Sequence, residues 1–312
     1  MNVLIGKRGI QFSFAWIFAI IVGAFIIFLA IYASVKVVDT GGGLTSAKVG
    51  KEIGILLNPL QTGFGESTSN LLTLPVETRI HNLCSSSGNF GIQTIQVSQK
   101  SFGKWSATNL GSDFENKYIF SETDVEGTDF FLFSKSFNFP FKVADVVYVT
   151  SSEEKFCFVG APESINQELK ELGQENIFLE NCPADSVNVC FDSGQVSSGD
   201  CDIEVRMGRK EVESGGRIVY FEDDALMYAA IFSDADIYEC QVQRLMKRTS
   251  ELLVIYGGKQ NLLAQNGCYS NVDLNFFRNS ILTFRNSEDV FSVANDAKSV
   301  DKDNDAEGCE LW

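Results

Sequence analysis

Histidine occurs once in this 312-residue chain, as His81, and proline only five times. A metal centre built on several histidines is therefore excluded, and an imidazole general base has one candidate. So little proline, beside 26 phenylalanines, fits an ordered aromatic core and not a disordered stalk. Chemistry-bearing motifs are missing as well. The chain has no Cys-x2-Cys pair, no Gly-x-Ser-x-Gly elbow, no Walker loop and no dinucleotide fingerprint. Zinc-ribbon, nucleophile-elbow and nucleotide chemistry thus find no support. No Asn-x-Ser/Thr sequon is present. Charge is missing from residues 9–35, and acidic residues from positions 1–38.

That uncharged run is what the chain does have: Gly9 to Val35, an apolar stretch rich in Ile, Phe and Ala. As a helix it would reach about 40 Å, beyond the roughly 30 Å of a bilayer's hydrocarbon core. It is read as one transmembrane helix, with residues 1–35 forming a short cytoplasmic start and the span. Lys7 and Arg8 precede it, which sets the N-terminus inside and the rest of the chain outside the cell membrane. Trp16 and Tyr32 fall near the two interfaces. The rival reading is a secretory signal cut after Ala33, although the apolar region exceeds the usual signal length. Ala15, Ala19 and Gly23 share one helix face, where small residues favour close approach of a second membrane helix. Self-association is expected there.

Lys7-Arg8-Gly9 followed at once by the apolar helix resembles the class III leader of archaeal type IV pilins and archaellins. The resemblance covers residues 7–35. It implies cleavage after Gly9 and a mature helix starting near Ile10. The chain departs from that pattern at Gly41-Gly42-Gly43, where a pilin helix would run on, and its head is larger. As a whole it is similar to a family of archaeal membrane-anchored surface proteins, from which no activity carries over.

The remainder is acidic. Its 41 carboxylates outnumber the basic residues and bring the whole chain to a net charge of −16. Such a surface repels polyanions, so a nucleic-acid partner is excluded. All eight cysteines, Cys84, Cys157, Cys182, Cys190, Cys201, Cys240, Cys268 and Cys309, come after the span. An even number on the exported side reads as disulfides. Eight cysteines allow 105 connectivities. Proximity in sequence suggests Cys157–Cys182, Cys190–Cys201 and Cys240–Cys268, leaving Cys84 with Cys309.

The expected fold class is α+β: the transmembrane helix, then a β-rich exported domain with a helical C-terminal part. Residues 36–44 form a flexible linker, 45–222 a mixed β-rich domain, and 223–312 a helical region with an acidic tail. Thr45–Leu57 reads as a helix. Strands are expected at Leu71–Cys84, Gly91–Val97, Tyr118–Phe120, Phe130–Phe139 and Val143–Val149. Lys155–Val159, Asn176–Leu179 and Val187–Phe191 are further strands, with a helix at Glu163–Leu172. A hairpin of Asp202–Met207 and Arg217–Phe221 turns at Ser214-Gly215-Gly216. Ser233-Asp-Ala-Asp236 has the spacing of a capping box before a helix that ends at Gly257-Gly258. Two more helices are expected, near Lys259–Gln265 and Asp273–Phe284.

Three constellations resemble sites. Asp301-Lys-Asp-Asn-Asp305 matches the opening of a calcium loop but lacks its Gly and its closing Glu. Ser152 and Lys155 have the spacing of a Ser–Lys dyad, and His81 is the one imidazole base. None carries a full motif, so no catalytic, cofactor or metal residue is assigned and no cofactor is expected. The expected function is a single-pass, membrane-anchored extracytoplasmic structural or binding protein, as in a pilin-related surface subunit or an adhesion module. Its partners would be the membrane, a second copy, and a protein or glycan. The alternatives are a membrane-tethered hydrolase and an accessory subunit of a membrane complex.

Overall fold

A computed structural model describes residues 14–34, 68–101, 103–108, 111–192, 201–306 and 308–312. The linker 36–44 and the helix expected at Thr45–Leu57 lie outside these residues. Helix α1, Phe14–Ser34, is apolar throughout, and no share of it is buried against the rest of the protein.

The first sheet holds β1 (Thr68–Ser85), β2 (Ile92–Ser101), β3 (Lys104–Trp105), β4 (Gly111–Phe114), β5 (Ile119–Phe120), β6 (Asp124–Asn138) and β7 (Lys142–Ser151). Its order is β3-β2-β1-β6-β7-β5, with β4 added on β2. All pairs are antiparallel except β5 with β7. The Phe-rich run in β6 has a direct cause. Phe133 and Phe137 enter the main core, while Phe130 and Leu132 enter a second, smaller core on the opposite face. A strand covered on both faces loses the polar half of its alternation. Pro75 falls where the β1–β6 register shifts between Thr73 and Thr78, a break that spares the ladder a missing N–H.

The second sheet holds β8 (Phe156–Val159), β9 (Ile177–Phe178), β10 (Val187–Phe191), β11 (Ile203–Arg206), β12 (Glu211–Ser214) and β13 (Arg217–Tyr220). The order is β13-β12-β11-β10-β8-β9. Strands β9, β8, β10 and β11 run parallel, and β12 and β13 fold back antiparallel. Helix α2, Glu163–Leu172, buries Ile165, Leu169 and Leu172 on one face and ends at Gly173 in the left-handed conformation. The expected single hairpin gains a strand: β12, which the sequence pattern does not announce, enters the turn at 214–216. The charged pattern of Glu211-Val-Glu-Ser214 hides it. Arg206 on β11 binds Glu204, Glu211 and Glu213, so the charges serve cross-strand pairing.

Four helices complete the domain: α3 (Asp224–Ile231), α4 (Ala235–Gln265), α5 (Leu274–Leu282) and α6 (Val290–Ala306). Residues 225–231 of α3 are all buried, and α3 touches β6 and β7 of one sheet and β12 and β13 of the other. It is apolar all round because it lies between the two sheets. Around it gather Phe133, Tyr148, Phe156, Phe158, Tyr228 and Phe232, with several edge-to-face contacts.

Three further expectations are corrected. Helix α4 runs through Gly257-Gly258 to Gln265. Each glycine costs about 1 kcal/mol against alanine, but contacts on both sides hold the helix across them. Tyr256 packs on Phe141 and Trp312, Lys259 binds the Leu311 carbonyl, and Gln260 binds the carbonyls of Ser270 and Val272. The acidic segment 301–312 is not a solvated tail: its first part is helical in α6, Leu311 is buried, and Trp312 donates to Asp301 at 2.8 Å. The cysteines pair as Cys84–Cys240, Cys157–Cys182, Cys190–Cys201 and Cys268–Cys309. The two short-range pairs agree with the sequence reading. The other two do not, because α4 carries Cys240 onto β1 and Cys268 away from it.

Helix α4 is seated by a buried polar clamp. Arg244 is fully buried, and its five N–H groups find five acceptors. Nε donates to the Phe90 carbonyl, Nη1 to the Lys117 carbonyl and to Gln241 Oε1, and Nη2 to the carbonyls of Phe114 and Glu115. Gln241 binds Gln93, and Gln93 binds Asn82, all three being buried. Gly91, at φ 63°, leaves room for the arginine: a Cβ there would stand 2.8 Å from Arg244 Cγ and 2.4 Å from the Ser85 oxygen. Arg244→Met will strip partners from buried carbonyls and lower stability by roughly 3 kcal/mol or more, read as the midpoint of urea unfolding. Non-reducing peptide mapping will recover Cys84 linked to Cys240; recovery of Cys240 linked to Cys268 would contradict the placement of α4.

Candidate functional site

The strongest concentration of perturbed acids lines a cleft of about 450 Å³ where the parallel strands of the second sheet begin. Phe156, Val187 and Ile203 come from the starts of β8, β10 and β11. Glu122 and Thr123 come from the β5–β6 loop and Glu154 from the β7–β8 turn. Arg217 comes from the start of β13, and Asp234 and Asp236 from the start of α4. Asp202 completes a set of five carboxylates against one guanidinium. Arg217 is bound to Asp236 at 2.7 Å, so the inner carboxylates have no cation of their own among the cleft residues.

The pattern Ser233-x-x-Asp236 is not used as a capping box. Asp234 occupies the cap position, but its side chain makes no bond to its own helix. Its Oδ2 instead accepts from Thr123 N at 2.7 Å and Thr123 Oγ1 at 2.6 Å, tying the β5–β6 loop to α4. Ser233 Oγ donates back to the Ala229 carbonyl. The positive end of α4 faces the cleft through Ala235 and Asp236.

Glu154 and Glu122 share a hydrogen bond. Burial, the Glu122 charge and the Asp234 charge push the Glu154 carboxyl up to about 8. Burial and the Asp234 charge also raise Glu122, opposed by the hydrogen bond from Glu154. At neutral pH Glu154 therefore keeps its proton, and its carboxyl is hydrogen-bonded to Glu122. A carboxyl that keeps its proton at neutral pH is a proton donor, one of the groups general acid–base chemistry uses. Among the described residues no group of three or more His, Cys, Asp or Glu side chains is placed to hold a metal ion.

The residues singled out in the sequence lie elsewhere. Lys155 Nζ binds Asp185 at 2.7 Å, and Ser152 lines a different cavity, near Asp129 and Gln174. The Ser–Lys pair is thus not a dyad; the residue between them, Glu154, is the one with altered chemistry. His81 sits between Asp124 and Ser98, with Nδ1 2.5 Å from Asp124 Oδ1 and Nε2 2.9 Å from Ser98 Oγ. The order is that of a Ser-His-Asp relay. Ser98 is only 1% exposed, and neither it nor His81 lines the acidic cleft. The three side chains join β6, β1 and β2. The calcium-like segment 301–305 lies within α6, where Asp301 accepts from Trp312 and Asn304 accepts from the Leu311 amide. Ala15, Ala19 and Gly23 lie on exposed α1, with nothing within 4 Å of a Cβ built at Gly23.

No known family, no characterised protein and no solved structure matches this chain.

The shared proton has a thermodynamic sign. Glu154 is protonated in the fold up to about pH 8 but ionises near 4.5 when unfolded. Above pH 4.5 the native state holds the extra proton, so stability from this group falls as pH rises toward 8. Glu154→Gln keeps a neutral donor beside Glu122 and removes that slope. Urea titrations at pH 5, 6.5 and 8 will show the variant gaining on the wild type as pH rises; parallel pH profiles would remove the shared proton from this account.

Proposed function

We propose that this protein is a single-pass, membrane-anchored extracytoplasmic binding or structural protein, held by α1 and presenting the disulfide-linked domain outside the cell. One observation carries the reading. α1 is 21 residues long with a mean hydropathy of 2.9, yet the fold buries none of it. A helix of that length spans about 31 Å, close to the hydrocarbon thickness of a bilayer. A core helix of a soluble domain would hide such a surface inside its own protein. The pairing of all eight cysteines supports an oxidising location for the domain C-terminal to α1. Lys7 and Arg8 favour an inside N-terminus.

The resemblance of residues 7–35 to a class III leader extends the proposal to a surface assembly. In it, processing after Gly9 frees a helix that meets its neighbours along Ala15, Ala19 and Gly23. A second reading, a membrane-tethered hydrolase, draws on the Glu122–Glu154 pair, since a carboxyl that keeps its proton at neutral pH beside a second acid in a cleft suits acid–base hydrolysis.

Intact cells expressing the chain with a tag after Trp312 test the main reading. Added protease will remove the tag, and the protein will stay with membranes through alkaline carbonate extraction. A shielded tag, or release into the supernatant, would overturn it. Mass analysis of the purified protein separates the variants: a start at Ile10 supports the pilin-like assembly, and a start at Ser34 makes α1 a removed signal. Replacing both Ala19 and Gly23 by leucine will abolish crosslinked dimers in membranes if that face mediates assembly.

A further inference from the structure

We propose that a cavity between the middle of α4, the end of α5 and the β1–β2 turn binds a small carboxylate with an apolar body. The cavity measures about 530 Å³, within the usual range for small-molecule sites. It is distinct from the acidic cleft, which takes only the first turn of α4.

Its chemistry is opposite to that of the cleft. In a chain of net charge −16, this lining carries two cations, Lys247 and Arg285, against one carboxylate, Glu251. Lys247 Nζ donates to the carbonyls of Ser86 and Gly88, which fix the ammonium without neutralising it. The Arg285 backbone is held from both sides, its N–H by Asp289 and its carbonyl by Gln243. Its guanidinium makes no hydrogen bond or ion pair among the described residues.

The head group follows from the cations of the lining: a carboxylate fits the planar fork of Arg285, which has no acceptor of its own among the described residues, and Lys247 adds a second positive charge. The apolar body then lies against Met246 and Ile281, which are buried, and against Phe284. Leu282 stands at the same cavity with 61% of its surface exposed, a large apolar residue that the fold itself leaves uncovered. One net positive charge in the lining suits a monoanion better than a polyphosphate.

The proposal does not depend on which side of the membrane the domain faces, so its failure and that of the anchoring reading are separable. Isothermal titration of the full chain in lipid nanodiscs, with empty nanodiscs subtracted, compares 3-phenylpropionate with 3-phenylpropylammonium. These probes share a ring and chain and differ in the sign of the head group. The carboxylate will bind about tenfold or more tightly than the amine, and Arg285→Gln will erase that preference. Met246→Trp, which fills the cavity, will abolish binding of both. Because Arg285 is exposed, its variant will keep the wild-type unfolding midpoint. Equal binding of the two probes, no carboxylate binding up to millimolar concentration, or an unaffected Arg285→Gln protein would overturn the proposal.

Discussion

A buried guanidinium with no carboxylate partner dictates how this domain is assembled. Arg244 gives up water entirely, and in place of water stand a ring of carbonyl dipoles and one amide oxygen. Desolvation of a cation is costly, and only complete satisfaction of its donors makes such burial tolerable. Completeness demands geometry. The backbone at Phe90 and at 114–117 must converge on one point of α4, and Gly91 must leave the side chain its path. The Cys84–Cys240 bridge, one helical turn before Arg244, ties α4 covalently to β1, the strand that leads into the turn carrying Phe90. A slip of α4 by a single residue would break the disulfide and orphan several acceptors together.

Helix α4 is therefore the spine that positions everything else. Its first turn borders the acidic cleft, its middle borders the cationic cavity, and its last third holds the segment that ends in Trp312. The two depressions have opposite electrostatic character because different faces and neighbours of one helix line them. At the start, the helix dipole partly offsets crowded carboxylates. Further along, Lys247 is held by turn carbonyls, leaving its charge available. The polar clamp connects these places mechanically, since the β1–β2 turn that receives Arg244 also receives Lys247.

Much of the architecture is legible in the chain, for reasons that differ by element. Helix α2 and strand β10 coincide with the expected spans, because short amphipathic or β-branched runs bounded by Pro, Gly and Asp carry their own boundaries. Strands β6 and β7 stand out through dense Phe and Val. Helix α3 is not legible, since Asp224-Ala-Leu-Met-Tyr-Ala-Ala-Ile231 has no polar face to set a period; only burial between two sheets makes sense of it. The acidic end of α6 masks that helix, and the passage of α4 through two glycines rests on distant contacts that no local window contains. The long-range disulfides fall in the same class. The cleft is nearly invisible in sequence: Glu122 and Glu154 belong to different turns, and the capping-box spacing at Ser233 points to a local role that Asp234 does not perform. Single charged residues in turns read as solvated until the fold shows what surrounds them.

The acidic cleft runs against the stability of the domain that contains it. Burial and the charges of Glu122 and Asp234 raise the proton affinity of Glu154, so at neutral pH the fold accepts a penalty an amide at position 154 would avoid. Asp223, at the start of the buried α3, is another raised carboxyl, pushed up to about 6 chiefly by burial. The two differ in kind. Asp223 accepts from the Leu226 amide and so has a structural task that explains its burial. Glu154 caps no helix; its nearest relations are other acids and an open cleft. A destabilising group with a structural task belongs to folding. One without such a task, placed where solvent and solutes can reach it, is the pattern expected of a working site. That contrast sets Glu154 apart from Asp223.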